Sequence, residues 1–403
     1  MAILERQNFR NTEKNIYQYN PQLANKKIKM INQTYQICTR CVMDTSDQDI
    51  VFDSNGVCNH CTTGIEQAKR APSPEEKEKE LSKLITNIKK SGEGKKYDCV
   101  VGVSGGVDSS YVAYLSKEWG LRPLCVHLDN FWNTEIADKN IRSICRVLEA
   151  DLVTVQVDET EFKDIQLSFL KASVPDAEIP SDTGILMSLS QVAKENGVKY
   201  ILTGVNTSTE SIMPKKWSQG HFDGKYIKAI QKRFGSIPLK KFPYCGFWEL
   251  MNIIVFGNAN RKIKRINILN YLNYNKEEAK KVLQKQLGWE DYGGKHLESV
   301  YTRFIQNYWL PEKFGFDKRR GHLSSSIVAG LISREEALTE LQKELYTKEK
   351  LIDEKEYVCN KLGITTEYFD RLMKQPNKFY ADYPNISDNL IYSTIRWFYR
   401  KLK

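Results

Sequence analysis

Apolar residues in this chain cluster in short valine-rich runs separated by longer amphipathic stretches. Asp98-Cys99-Val100-Val101-Gly102-Val103 is almost wholly apolar, the mark of a strand buried on both faces. The run breaks at Ser104-Gly105-Gly106 and resumes as Ser109-Ser110-Tyr111-Val112-Ala113-Tyr114-Leu115, a helix closed by Gly120. Further strands are expected at Leu124–Asp129, Leu152–Val157 and Lys199–Gly204. Helices are expected between them, near 134–148, 160–171 and from Ser181 to about Asn196. Before the first strand, Ser73, Pro74 and Glu76 spell a capping box, and Leu81, Leu84, Ile85 and Ile88 share one helical face. Strands alternating with helices at this spacing predict a parallel, doubly wound α/β sheet whose ligands lie beyond the carboxyl ends of its strands. Three such ends carry Ser104–Ser109, Asp129–Trp132 and Gly204–Glu210.

Composition changes this picture little. A chain of 403 residues, 41% hydrophobic, has material for about two to three domains. No run of about eighteen apolar residues exists, so stable membrane insertion is not expected. The first residues, Met-Ala-Ile-Leu-Glu-Arg-Gln-Asn, are too polar for a secretory signal. The net charge of +10 suits an acidic partner such as ATP, a nucleotide sugar or RNA without choosing among them. Nine cysteines without a regular framework point to a reducing, cytoplasmic setting.

Four of those cysteines make a pattern. Cys38-Thr39-Arg40-Cys41 and Cys58-Asn59-His60-Cys61 flank the hairpin turn Asp53-Ser54-Asn55-Gly56. Two C-x-x-C pairs, each on a turn, can close a tetrahedron of thiolates around structural zinc, as in a zinc ribbon. A redox dithiol or an iron–sulfur site is the rival reading. His60 is a neighbour or a substitute ligand. Cys99, Cys125 and Cys145 fall on core positions, whereas Cys245 and Cys359 have no assigned role.

A strand, a glycine turn and a helix start make an anion site, because the first helical N–H groups are unpaired and the dipole favours negative charge. Ser104-Gly105-Gly106-Val107-Asp108-Ser109 lacks the lysine of the kinase-type phosphate loop. It resembles the PP-loop of the ATP pyrophosphatases. Gly204-x-Asn206-x-x-x-Glu210 resembles a further patch of those enzymes. The stretches 287–299, 301–304 and 316–324, taken with the cysteine pairs, resemble the N-acetyl sugar amidotransferases of lipopolysaccharide and flagellin-glycan synthesis, the WbpG type. The resemblance spans about residues 36–345.

That resemblance implies a HUP-like α/β domain over 71–270, behind an extension over 1–35 and a zinc ribbon over 36–70. A helical region over 271–403 would contribute to the substrate site. It implies that ATP adenylates the acetamido oxygen of a UDP-linked N-acetyl sugar. Ammonia from a separate glutaminase subunit then displaces AMP to leave an acetamidino group. An amide oxygen leaves poorly, so its conversion to a phosphate ester must come first. The alternative is a PP-loop tRNA-modifying enzyme of thiolase or lysidine type; the amidotransferase reading carries no nucleic-acid partner.

Roles follow on that basis. Ser104, Gly105, Gly106, Val107, Asp108, Ser109 and Ser110 would hold the phosphates, with Asp108 also binding Mg²⁺. Asp129 would bind ribose or adenine, Gly204 would let the backbone approach the nucleotide, and Asn206 and Glu210 would line the substrate side. Lys295, His296 and Arg303 join Asp108 as expected catalytic residues. Lys318, Arg319, Arg320 and His322 are either part of a phosphate cradle or an ordinary basic face. Past 330, helices near 334–346, 349–361 and 366–374 are expected to bundle, followed by a basic, aromatic helix over 388–403.

Overall fold

In a computed structural model, five parallel strands form the floor on which the remaining elements are mounted. The structure describes residues 34–70, 72–247, 250, 262–294, 297–389, 392 and 394. The extension before residue 34 and nearly all of the basic, aromatic stretch after 389 lie outside them.

The elements, in chain order, begin with α1 (Asn59–Lys69), α2 (Pro74–Ser91), β1 (Cys99–Gly102), α3 (Val107–Glu118) and β2 (Pro123–Asp129). Next come α4 (Glu135–Val147), β3 (Leu152–Gln156), α5 (Glu159–Lys171), α6 (Ile179–Glu195), β4 (Tyr200–Thr203) and the short α7 (Thr207–Glu210). They are followed by α8 (Gly224–Phe234), β5 (Lys264–Asn267), α9 (Lys276–Leu287), α10 (Val300–Phe304) and a π-helical stretch, Ile305–Phe314. The chain continues with α11 (Arg319–Val328), α12 (Arg334–Gln342), α13 (Lys348–Leu362) and α14 (Thr366–Lys374).

The strand order is β3-β2-β1-β4-β5, with every pairing parallel. Succession therefore reverses between β1 and β4, and an open α/β sheet forms its ligand crevice at such a reversal. The period-2 alternation of β1 divides the two layers. Cys99 and Val101 pack with Val107, Val112 and Ala113 of α3, Ile141 and Ile144 of α4, and Ala279 and Leu283 of α9. Val100 turns the other way, onto Leu189, Val192 and Ala193 of α6. Residues 276–289, grouped by the sequence reading with the helical C-terminal region, thus share a core with α3.

A second core joins α5, α8, the π-helical stretch, α13 and α14 around Phe169, Trp309, Cys359 and Phe369, and it extends to the four clustered cysteines. The capping box expected at Ser73 forms, and a second one forms at Ser333. Two expected boundaries move. α3 starts at Val107 because the Gly106 carbonyl already accepts from Ser110 N–H. α6 starts at Ile179, with Pro180 in its first turn, where a missing N–H costs nothing.

Candidate active site

The loop between β1 and α3 is set by two constraints. Gly105 lies in the left-handed region at φ +78°, and a Cβ there would come within 2.5 Å of the Ala137 carbonyl of α4. Serines then lock the bend from inside. Ser104 N–H donates to Ser109 Oγ at 3.2 Å, Gly106 N–H donates to Ser104 Oγ at 3.3 Å, and Ser110 Oγ donates to the Gly106 carbonyl at 2.6 Å. Gly106 caps α3 in extended conformation with no side-chain cap. The helix head is therefore left to a ligand or a distant residue.

Distant residues do reach it. Trp289 Nε1 donates to the Gly105 carbonyl at 2.8 Å, and Asn140 Nδ2 donates to the same oxygen at 3.3 Å. Val107 N–H donates to the Tyr292 hydroxyl at 3.4 Å. A Cβ at Gly106 would stand 3.1 Å from that hydroxyl and 3.0 Å from the Glu298 carboxylate. Glu298 is brought there by a strand-like bridge between Asn133 and Ser299, in which Thr134 N–H donates to the Glu298 carbonyl and Val300 N–H to the Trp132 carbonyl. Asp108, in the first turn of α3, accepts a hydrogen bond from the Tyr274 hydroxyl. Burial, and then the charge of Asp108, push the Tyr274 phenol far above its ordinary range, so it stays a donor.

The other two strand ends close the crevice. A Cβ on Gly204 would come within 2.8–2.9 Å of Asp108 and Ser109, so glycine here lets β4 run against the head of α3. Asn206 caps α7 by accepting Thr209 N–H at 3.0 Å, and Asn206 N–H points to Glu210 at 3.4 Å. At the end of β2, Asp129 accepts Phe131 N–H at 2.9 Å, and Phe131 adopts φ +66°, a conformation costly for a non-glycine residue. His127 Nδ1 donates to the Val103 carbonyl at 3.0 Å, which fixes its tautomer and braces the strand that feeds the loop.

The later basic residues divide. Lys295 and His296 lie outside the described residues. Arg303 ion-pairs with Glu354 of α13 and donates to the Leu297 carbonyl at 3.4 Å. Arg319 is held by Asp317 and by carbonyls at the end of α12. Arg320 pairs with Asp44 at 3.0 Å and donates to the Val42 carbonyl at 2.7 Å. For Arg319 and Arg320 the phosphate-cradle option of the sequence reading therefore gives way to a structural one, because their guanidinium groups are spent inside the protein. His322 Nδ1 donates to the Thr209 carbonyl at 3.0 Å and so stands beside α7. The sequence reading assigns no role to Tyr274, Tyr292 or Glu298; the last two lie in the stretch 287–299 that carries the resemblance, where the paired glycines at 293–294 are the local signal.

The cysteine cluster is a separate centre. The four sulfurs lie within 4.8 Å of one another, and all four residues are buried. Tetrahedral zinc with bonds of about 2.3 Å sets sulfur–sulfur edges of about 3.8 Å. Cys38–Cys61 and Cys41–Cys58 measure 3.9 and 3.7 Å. Hydrogen bonds from the other three thiols pull Cys38 well below its ordinary value, while the same contacts push Cys61 far above it. Four thiolates can coexist there only around a cation, and the donor set fits zinc. The second pair sits on the first turn of α1 rather than on a free turn, and His60 turns away to Asp47 at 2.6 Å. Arg334 of α12 clamps the Cys38 and Cys41 carbonyls, anchoring the ribbon to the helical region.

Comparison with known proteins gives matches over two stretches, neither of which includes the cysteine centre. Residues 97–171 match the tRNA methyl transferase HUP domain, and residues 298–399 match the LPS biosynthesis protein WbpG-like, C-terminal domain. The uncharacterized protein MJ1599 of Methanocaldococcus jannaschii is 26% identical over 320 residues, covering 77% of this chain and 95% of the relative. Among solved structures, the NH3-dependent NAD synthetase of Campylobacter jejuni is 15% identical at a TM-score of 0.28, covering 52% of this chain and 84% of that one. The NMN synthetase of Francisella tularensis is 14% identical at 0.26, covering 61% and 97%. Both structural likenesses are too slight to bear on fold or function. The chain joins a HUP-type domain with a PP-loop spelling to a WbpG-like C-terminal domain.

Proposed function

We propose that the protein is an ATP-dependent, AMP- and pyrophosphate-forming amidotransferase of C–N ligase type, acting in the cytoplasm on a UDP-linked N-acetyl sugar. One observation carries the reading. The helix-head loop Ser104–Ser109 is pinned by Trp289 and Tyr292, in the segment that leads directly into the WbpG-like domain. Nucleotide chemistry and sugar recognition would then meet at one crevice.

The acetamido oxygen attacks the α-phosphorus of ATP, the bond to pyrophosphate breaks, and the sugar amide becomes an adenylated imidate. Ammonia from a glutaminase partner adds to its carbon, AMP leaves, and one proton is released as the acetamidino group forms. Loop N–H groups of Gly105–Ser109 would stabilise the departing charge, the Val107 N–H once it leaves the Tyr292 hydroxyl. Asp108, oriented by Tyr274, is the carboxylate that would hold Mg²⁺, whose charge offsets that of pyrophosphate. Asp129 stands for ribose or adenine, and Asn206 and Glu210 for the substrate side. Arg303, expected from the sequence to be catalytic, is proposed instead as a positioning residue that holds α10 to α13, since its guanidinium is paired with Glu354. Zinc at Cys38, Cys41, Cys58 and Cys61 is structural, since four thiolates leave no open position.

The match over 97–171 keeps a tRNA-modifying reading in view. Thiolation of that kind needs a reachable cysteine, and all nine here are buried. Purified protein with ATP, Mg²⁺, ammonium and a panel of UDP-N-acetyl sugars should release AMP and pyrophosphate, and Asp108→Ala should abolish the release. Release driven by tRNA and by no sugar would overturn the proposal.

A further inference from the structure

A cluster of buried charge lies on the α6 side of the crevice, apart from the phosphate loop. α6 runs back along the sheet into β4, so its first turn is at the carboxyl edge, where Gly184 packs on Leu128 of β2. Around that turn stand three carboxylates, Asp176, Glu178 and Asp182. His221 Nε2 lies 3.0 Å from Asp182 and 3.3 Å from Asp176. Lys318 Nζ lies 3.2 Å from Glu178, which also accepts from Gln306 Nε2 at 3.0 Å.

The WbpG-like region builds much of this cluster. Gln306 and Lys318 belong to it. It also fixes the loop carrying Asp176, with Tyr301 Oη donating to the Ala177 carbonyl and Trp309 Nε1 to the Val174 carbonyl. Lys318 heads α11, whose His322 touches α7, so the cluster and the end of β4 share one helix.

Asp176 is 7% exposed, and its Oδ2 accepts no hydrogen bond among the described residues, its ion-pair contact with His221 Nε2 being 3.3 Å long. A buried carboxylate oxygen held only by such a contact keeps an acceptor position unfilled, and a ligand that donates to it would fill that position. Charge decides which ligand. Three carboxylates disfavour an anion. His221 and Lys318 stay protonated, because the carboxylates outweigh their burial, and they disfavour a further cation. What remains is a neutral group offering both donors and acceptors to side chains of both kinds. Vicinal hydroxyls on a ring do this. The Asp182 and His221 side chains are 46% and 24% exposed, which leaves the cluster open on one side.

We propose that Asp176, Glu178, Asp182, His221, Gln306 and Lys318 form a subsite for a neutral, polyhydroxylated ring, the sugar of the substrate. This rests on the reading of the substrate as a sugar and assigns its ring to the WbpG-like side of the crevice, away from the phosphates.

Saturation-transfer NMR on the full chain tests it, with N-acetylglucosamine, N-acetylgalactosamine and N-acetylmannosamine as probes. At least one should receive saturation at its ring protons. Asp182→Asn, at a half-exposed position that keeps the fold, and Asp176→Asn should weaken that binding by about tenfold or more, as expected for loss of a hydrogen bond to a charged group. ATP affinity should not change. Absence of transfer to all three sugars overturns the subsite, as does undiminished binding in both variants. Displacement of the sugar by ammonium chloride but not sodium chloride would mark a cation site and overturn it too. Sugar binding that falls in Asp182→Asn while no sugar drives AMP release would retain the subsite and sink the amidotransferase reading. AMP release with an unchanged sugar KM in both variants would do the reverse.

Discussion

Tyr292 holds its phenolic oxygen 3.4 Å from the backbone nitrogen of Val107, the first residue of α3. A hydroxyl from 185 residues away thus occupies the place where a phosphate oxygen would accept the leading N–H of the helix. The bond is long and therefore weak. Tyr292→Phe should cost under about 1 kcal/mol of stability in urea titrations. It should also bind ATP a few-fold more tightly by calorimetry, because the N–H is freed in advance. Weaker ATP binding would mean that the hydroxyl assists the nucleotide instead.

Glu298 sets a second condition at the same place. Its carboxylate borders Gly106, within reach of any phosphate in the loop. Two unit charges about 4 Å apart repel by roughly 1 kcal/mol in water and about 4 kcal/mol near a protein surface. Without Mg²⁺, Glu298→Gln should therefore bind ATP about five- to tenfold more tightly than the wild type. With saturating Mg²⁺ the gap should close. Equal affinities in Mg²⁺-free buffer would place the carboxylate away from the phosphates.

These two residues show what local pattern misses. The valine run, the glycine bend and the serines sit within a dozen residues, so their strand, loop and helix are legible by period and turn chemistry alone. Tyr274 and Tyr292 reach Asp108 and Val107 only after the sheet and α9 have assembled, and apart from the glycines that follow Tyr292 nothing near them in sequence marks that approach. β5 escaped notice for a related reason. Lys264-Arg265-Ile266-Asn267 is a polar edge strand, and its pairing with β4 supplies what its composition lacks. Arg319 and Arg320 mislead in the opposite sense, since a basic run looks like a ligand cradle until Asp317 and Asp44 are seen to neutralise it.

The cysteine centre should bear weight in folding. Metal analysis of the purified chain should give about one zinc, and Cys41→Ser should lose it together with a large drop in melting temperature, because structural zinc supplies roughly 10–16 kcal/mol of apparent binding energy. Removal of zinc should also loosen α11 and α12, to which Arg320 and Arg334 tie the ribbon. Iron in place of zinc would make the centre a cluster site.

His221 gives the sugar-side cluster a pH signature. Burial is the largest single influence and pulls its pKa down, but Asp176 and Asp182 together overcome it, against Lys318, and push it up to about 9 from an ordinary 6.5. A folded-state value above the unfolded one stabilises the protein fully below pH 6.5, and that stabilisation is lost as pH rises through about 9. The urea midpoint of the wild type should fall across this window more steeply than that of His221→Gln. Parallel curves would show that the imidazole is not held as a cation.

The central chemical claim is that the sugar's own amide oxygen is what ATP activates. A UDP-N-acetyl sugar labelled with ¹⁸O in its acetamido group, turned over with ATP, Mg²⁺ and ammonium, tests it by mass spectrometry of the nucleotide released. Oxygen-18 should appear in AMP, one atom per acetamidino group formed, with none in pyrophosphate. AMP carrying no label, or label retained in the sugar or lost to water, would contradict the adenylated amide.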